Sequence, residues 1–227
     1  MLTYHTDVSY HRYRQERIVM KDIRSTKCSL KFATQHKRDN LSLILEEYAK
    51  VVNFFILFFW ENPGFTKMDL LKEIVNMPEN SWLSYDLRQA AAREALGMVS
   101  ASIARWGDKA VIPTHRGKMM RISSSVAQLV PRKNALGFDA WLHLRCIGDE
   151  MIMDLPIKYH KHFNKLAELG KRLNSYIITE NEVQFCFEIT AGDKRTGTKY
   201  IGIDTGINVL ASVDNGNQYG LIPLLFL

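Results

Sequence analysis

Cysteine is scarce in this sequence of 227 residues: Cys28, Cys146 and Cys186 stand far apart and form no Cys-x-x-Cys pair. That spacing argues against a disulfide framework and against a zinc site, and it fits a reducing, cytoplasmic setting. Only 6 prolines are present, and no internal repeat or low-complexity segment is found. The first residues, with His5, Asp7 and His11, lack the apolar core of a signal peptide. Long apolar runs are also missing. The longest, residues 51–60, is too short to cross a bilayer, and Glu46, Glu47 and Lys50 fall inside any window that would be long enough. No membrane partner is therefore expected, and the run reads as a buried core helix stopped by Asn62, Pro63 and Gly64.

Hydrophobic content of 46% and aromatic content of 11% are those of a globular chain, long enough for one large or two small domains. Net charge is +6, and its distribution is uneven. Residues 1–38 carry +6, residues 39–115 carry −3, residues 116–172 carry +6 and residues 173–227 carry −3. Two basic segments separated by an acidic one suit a polyanionic partner, because Lys and Arg neutralise phosphates and release counterions. Solubilising surface lysines would give the same total.

Period-2 alternation predicts strands at 17–23 and 26–32; in the second, Cys28, Leu30 and Phe32 share one face and Lys27, Ser29 and Lys31 the other. Asp39 or Asn40 can cap a helix over 41–60. Thr66 with Asp69 forms a capping box for a short helix to residue 75. Ser84 can cap a long helix to residue 106, with Gly107 as its stop. On it Leu87, Ala91, Ala95, Met98, Ser102, Ile103 and Trp106 fall on one stripe. Strands return at 119–122, 126–130, 138–146 and 150–157, followed by a short basic helix over 159–169 and a hairpin of 174–179 with 183–190. His160 and His162 lie two apart on that helix and share no face, which argues against a metal site there.

The stretch with most chemical content comes late. A short apolar strand ends on Asp204, Gly206 allows a reversal, a second apolar strand runs to Val213, and Asn215-Gly216 marks a hairpin turn. A carboxylate at the end of a buried strand is costly unless it holds a metal or a hydrogen-bond partner. Asp204 is thus the leading candidate for a catalytic and metal-ligating residue.

Gly202-Ile203-Asp204-Thr205-Gly206, followed by Ala211, Asp214 and Gly216, resembles the first motif of the RuvC nuclease domain in TnpB (OrfB) proteins. These are transposon-associated, RNA-guided DNA nucleases related to the type V CRISPR effectors. A phosphate-binding hairpin of the sugar-kinase superfamily shares Gly-Ile-Asp-x-Gly, but it sits near the N-terminus and continues with Thr or Ser, where this chain has Ile207. Two further segments resemble TnpB in the same order. Trp82-Leu83-Ser84 with Ala91 and Ala95 is similar to its helical recognition lobe, and Pro156-Ile157-Lys158-Tyr159 matches its wedge region.

The resemblance implies an α+β chain: a wedge-type antiparallel β-barrel with an inserted helical lobe, then the opening β-hairpin of an RNase H-like (RuvC) domain. Its segments would be 1–38 and 116–191 for the wedge, 39–115 for the lobe, 192–198 for a linker and 199–227 for the start of RuvC. It implies guide RNA and target DNA as partners, together with a transposase of the same element, and Mg²⁺ as cofactor. Candidate RNA/DNA contacts are Arg12, Arg14, Arg17, Lys27, Lys31, Arg116, Lys118, Arg121, Lys158, Tyr159, Lys161 and Lys165, with Tyr10 and Tyr13 as further stacking candidates. The family draws its metal-binding acids from three motifs, and only Asp204 matches here, so a chain unable to cleave alone is expected, one shortened by truncation or a frameshift. The alternatives are a nuclease-dead protein acting by occupancy and an inert remnant of a transposon gene.

Overall fold

Strand β1, Lys21–Ser29, is one continuous element where two strands were predicted. The computed structural model describes residues 21–132, 137–149 and 151–190, together with the backbone of residues 203–204, 209–213 and 218–221. The chain divides into two compact units, Met1–Ala191 and Gly192–Leu227. In β1 the predicted faces hold: Thr26 and Cys28 are buried, and Lys27 and Ser29 are exposed. Leu30 follows inward, whereas Phe32 lies exposed after the strand has ended.

Helix α1, Gln35–Glu61, begins well before the predicted start. Its first turn is held by tertiary bonds rather than by apolar periodicity. The Arg38 guanidinium donates to the Leu30 carbonyl at 2.9 Å and to Asn181 Oδ1 at 3.2 Å. Asp39 is therefore no cap; it accepts from Gln35 Nε2 at 2.8 Å, one turn back. Leu41, Ile44, Tyr48, Val52, Phe55 and Phe59 recur at helical spacing and are buried. Leu43, Phe54 and Leu57 lie on the exposed face, so the apolar run is buried on one side, not all round.

Thr66 and Asp69 form the predicted capping box around a 3-10 turn, Lys67–Asp69, and bonds from the Thr66 hydroxyl and amide hold the Asp69 carboxyl below its usual range. A four-residue helix, α2, Lys72–Val75, follows. Helix α3, Tyr85–Trp106, starts and stops as predicted: Ser84 Oγ accepts from the Leu87 amide at 3.3 Å, and Gly107 closes it at φ +53°. Ala91, Ala92 and Ala95 are fully buried, and α3 packs along α1 through such small residues. The predicted stripe runs too far, however. Ile103 and Trp106 are exposed, because the buried face ends at Val99.

The later strands are β2, Met120–Ser123; β3, Ala127–Pro131; β4, Ala140–Leu144; and β5, Met153–Ile157. Helix α4, Lys161–Leu169, leads directly into β6, Gly170–Ile178, and β7, Glu182–Thr190, completes a hairpin. All pairings are antiparallel. One sheet has the order β1-β7-β6-β2 and another β3-β4-β5. β1 pairs with β7 from Lys21↔Thr190 to Ser29↔Glu182, so the strands flanking the helical insert do meet. The sheets do not close into one barrel among the described residues. β2 pairs with β6, but after the turn bonded from Val126 N to Ser123 O at 3.1 Å, β3 pairs with β4 instead. The fold of this unit is α+β.

The insert and the smaller sheet are joined at the start of α3. The Ser84 amide donates to the Ile147 carbonyl at 2.7 Å, and its hydroxyl donates to the Cys146 carbonyl. Gly148 makes this approach possible: at φ +135°, a Cβ there would lie 2.0 Å from the Trp82 carbonyl oxygen. Gly148→Ala is therefore expected to cost about 2–3 kcal/mol, read as a fall in the urea midpoint. A Gly97→Ala control, where a Cβ meets nothing within 4 Å, should not destabilise.

In the second unit the sheet order is β10-β9-β8, with β8 Ile203–Asp204, β9 Val209–Val213 and β10 Gln218–Leu221. Asp204 pairs with Ser212.

Candidate nucleic-acid interface

On α3, Arg93, Gly97 and Ala101 follow one another at i, i+4 and i+8, and so share a face. Opposite them runs the segment from Thr114 into β2. Between the two lies a cavity of about 610 Å³, whose cationic lining is Lys67, Arg93, Arg116, Lys118 and Arg121. A smaller cavity of about 300 Å³ shares Lys67, Arg93 and Arg121 and continues toward Ser175 and Tyr176 of β6. The basic residues therefore form the rim of one groove between the helical insert and the larger sheet.

The floor of the groove is a buried polar network. The Glu94 side chain is 4% exposed; its carboxylate accepts from the Tyr48 hydroxyl at 2.9 Å and from Arg121 Nε at 3.2 Å. Burial, reinforced by the Glu94 charge and its hydrogen bond, holds the Tyr48 hydroxyl well above its usual pKa, so it stays a donor. The His115 backbone is clamped by Asn53, whose Oδ1 accepts from its amide at 2.8 Å while Nδ2 donates to its carbonyl at 3.0 Å. His115 Nδ1 accepts from the Gly117 amide at 3.3 Å, which puts the ring proton on Nε2, 3.9 Å from Glu94 Oε1.

Burial lowers the His115 pKa from 6.5, against the pull of Glu94 and with a further push from Arg121. A histidine depressed in the folded state binds its proton more readily when unfolded. Stability is then full above pH 6.5 and is lost as pH falls from there through the folded value. His115→Gln should shrink the drop in urea midpoint between pH 7 and pH 5; an unchanged drop would rule His115 out as its source.

Of the sequence-predicted contacts, Arg116, Lys118 and Arg121 come together in this groove. The others do not join them. Lys27 pairs with Glu182 across β1 and β7 at 2.9 Å, and Lys31 lies 5.1 Å from the Phe32 ring centroid. Lys158 pairs with Asp139 at 3.2 Å. Tyr159 gives one ring face to Phe163, at 4.1 Å and nearly parallel, and so packs half-buried against the core. Lys161 and Lys165 are exposed one turn apart on α4. His160 is the N-cap of α4 rather than part of it: its Nδ1 accepts from the His162 amide at 3.2 Å, and Nε2 lies 2.9 Å from the Lys27 carbonyl. Arg12, Arg14, Arg17, Tyr10 and Tyr13 lie outside the described residues, and Asp204 is described in its backbone alone.

Arg93 and Lys67 also line the groove although they sit in a net acidic segment; the signal for Arg93 in the sequence is its spacing to Gly97 and Ala101 beside the buried stripe. A second cluster that no motif announced lies on the solvent face of the smaller sheet. There His143 Nδ1 and Arg145 Nη1 approach Asp154 Oδ1 at 2.6 and 2.9 Å, and Lys37 lies 4.6 Å from the Trp141 ring centroid. Burial pushes the Asp154 carboxyl up, but the bonds from His143 and Arg145 win and lower it. Among the described residues no group of three or more His, Cys, Asp or Glu could hold a metal ion. Cys28 is an inert buried thiol, pushed up to about 12 by desolvation and then by Asp139.

No family model matches the chain, and neither does any curated protein.

Proposed function

We propose that this chain is the guide-RNA- and target-DNA-binding part of a TnpB-like protein, with its polyanion seated in the groove between α3 and β2. The observation that carries this is the gathering of Arg93, Arg116 and Lys118 on one rim. All three are exposed, and none pairs with a carboxylate among the described residues. Two +6 segments alone would be compatible with a plain soluble surface; unpaired cations converging on a concave surface favour phosphates. In this proposal the two antiparallel sheets stand for the wedge, the helices for the recognition lobe, and Asp204, at the end of β8, for the first RuvC acid.

The family's Mg²⁺ would need several carboxylates. Besides Asp204 the described strands of the second unit contain no Asp or Glu, so they offer one carboxylate where the ion needs several. The occupancy form of the proposal, in which the chain binds without cutting, needs no further acid. The test is a binding and cleavage assay on a structured RNA hairpin and on an RNA–DNA duplex, with Mg²⁺, using wild type and Asp204→Ala. Equal binding by both and cutting by neither is expected. Absence of binding at 50 mM salt would refute the proposal; cleavage lost in Asp204→Ala would refute the occupancy form of it.

A further inference from the structure

Two features of the groove floor are not explained by phosphate binding. The first is Gly97. It sits inside a 22-residue helix, where glycine is a poor helix former, and a Cβ there would meet nothing within 4 Å. No close helix contact accounts for it; what it leaves is an open stretch of wall in the cavity that Met119 also lines. The second is His115. Its side chain is 4% exposed, yet its Nε2–H has no hydrogen-bond acceptor within reach among the described residues, since Glu94 Oε1 is 3.9 Å away. The nitrogen itself is accessible from the cavity that His115 lines, so an acceptor entering the cavity can reach it. Beside it the Glu94 carboxylate keeps free lone pairs after accepting from Tyr48 and Arg121.

We infer that the cavity is a slot for one unpaired nucleobase, guanine before the others. Glycine, methionine and alanine side walls suit the two faces of a flat ring. At the closed end an acceptor on the ring edge meets His115 Nε2–H, and adjacent N–H donors meet Glu94. Guanine supplies that order with O6, N1–H and N2–H, while Arg93, Arg116 and Lys118 at the mouth are placed for the flanking phosphates. Adenine and cytosine offer the carboxylate a single N–H-bearing group, so they fit less well. This inference rests on the groove being a nucleic-acid site, and it adds that one base is taken out of the stack and read.

The test uses the full chain and nine-residue ribose-phosphate strands that are abasic except for a central guanosine, a central adenosine or no base, read by fluorescence anisotropy. Guanosine should bind at least about 10-fold tighter than the abasic strand, as expected for a stacked and hydrogen-bonded base. Gly97→Leu fills the slot while improving the helix. It should raise Tm by roughly 2–4 °C and collapse the guanosine-to-abasic ratio below about 2. Equal affinity of wild type for all three strands overturns the slot but leaves the groove proposal standing, and so does a ratio that survives Gly97→Leu. Failure of every strand to bind overturns the groove proposal. Titration with GMP then decides the slot alone: binding abolished by Gly97→Leu supports a free-nucleotide site, and no binding removes it.

Discussion

Phe55→Ala is expected to destabilise the protein by about 3–5 kcal/mol, whereas Phe54→Ala, its neighbour in sequence, should cost less than about 1 kcal/mol. The two differ in where α1 points them. Phe55 is 0% exposed and stacks on Phe59 with ring centroids 5.9 Å apart; Phe54 is 39% exposed. Removing the Phe55 ring loses its burial and leaves a cavity that the small alanines of α3 cannot fill. The check is urea unfolding of both variants. Similar costs at the two positions would mean that α1 has no single buried face.

Charge reversal in the groove should have the largest effect on binding. Arg93→Glu, Arg116→Glu and Lys118→Glu together are expected to weaken affinity for an RNA hairpin by at least about 10³-fold at low salt. All three side chains are exposed, so Tm should stay within a few degrees of wild type. If the groove seats phosphates as proposed, each substitution removes a cation that would face one and adds a repelling charge where the helical insert faces β2. Reversal of Lys27, already paired with Glu182, and of Lys158, already paired with Asp139, should matter much less, because those cations are partly neutralised in the free protein.

The elements that local chemistry specifies were legible in the sequence. Ser84 and Gly107 bound α3, Thr66 and Asp69 form their capping box, and the alternation of Ala140, Leu142 and Leu144 with Trp141 and His143 describes β4. What failed depends on distant partners. The early start of α1 rests on Arg38 reaching Leu30 and Asn181, which no helical periodicity announces. The change of sheet between β2 and β3 rests on which strands come later, since both have ordinary strand patterns. For the site, half of the groove was visible as Arg116, Lys118 and Arg121 in a basic segment. Arg93 and Lys67 were hidden because averaging charge over 39–115 counts residues on all faces of three helices, while the groove sees one face of α3. Tyr159 shows another limit: its place beside lysines suggests a base stacker, and no local pattern announces that Phe163 takes one of its ring faces.

The central claim is that the α3–β2 groove holds a polyanion, and the salt dependence of binding tests it most directly. Affinity for an RNA–DNA duplex would be measured from 50 to 300 mM NaCl for wild type and for the Arg93→Ala, Arg116→Ala, Lys118→Ala triple variant. Each neutralised duplex phosphate contributes about −0.9 to the log–log slope. The account predicts a slope flatter by roughly 2–3 units in the variant. A steep wild-type slope that the triple variant reproduces unchanged would contradict it, because the phosphates would then lie elsewhere on the chain.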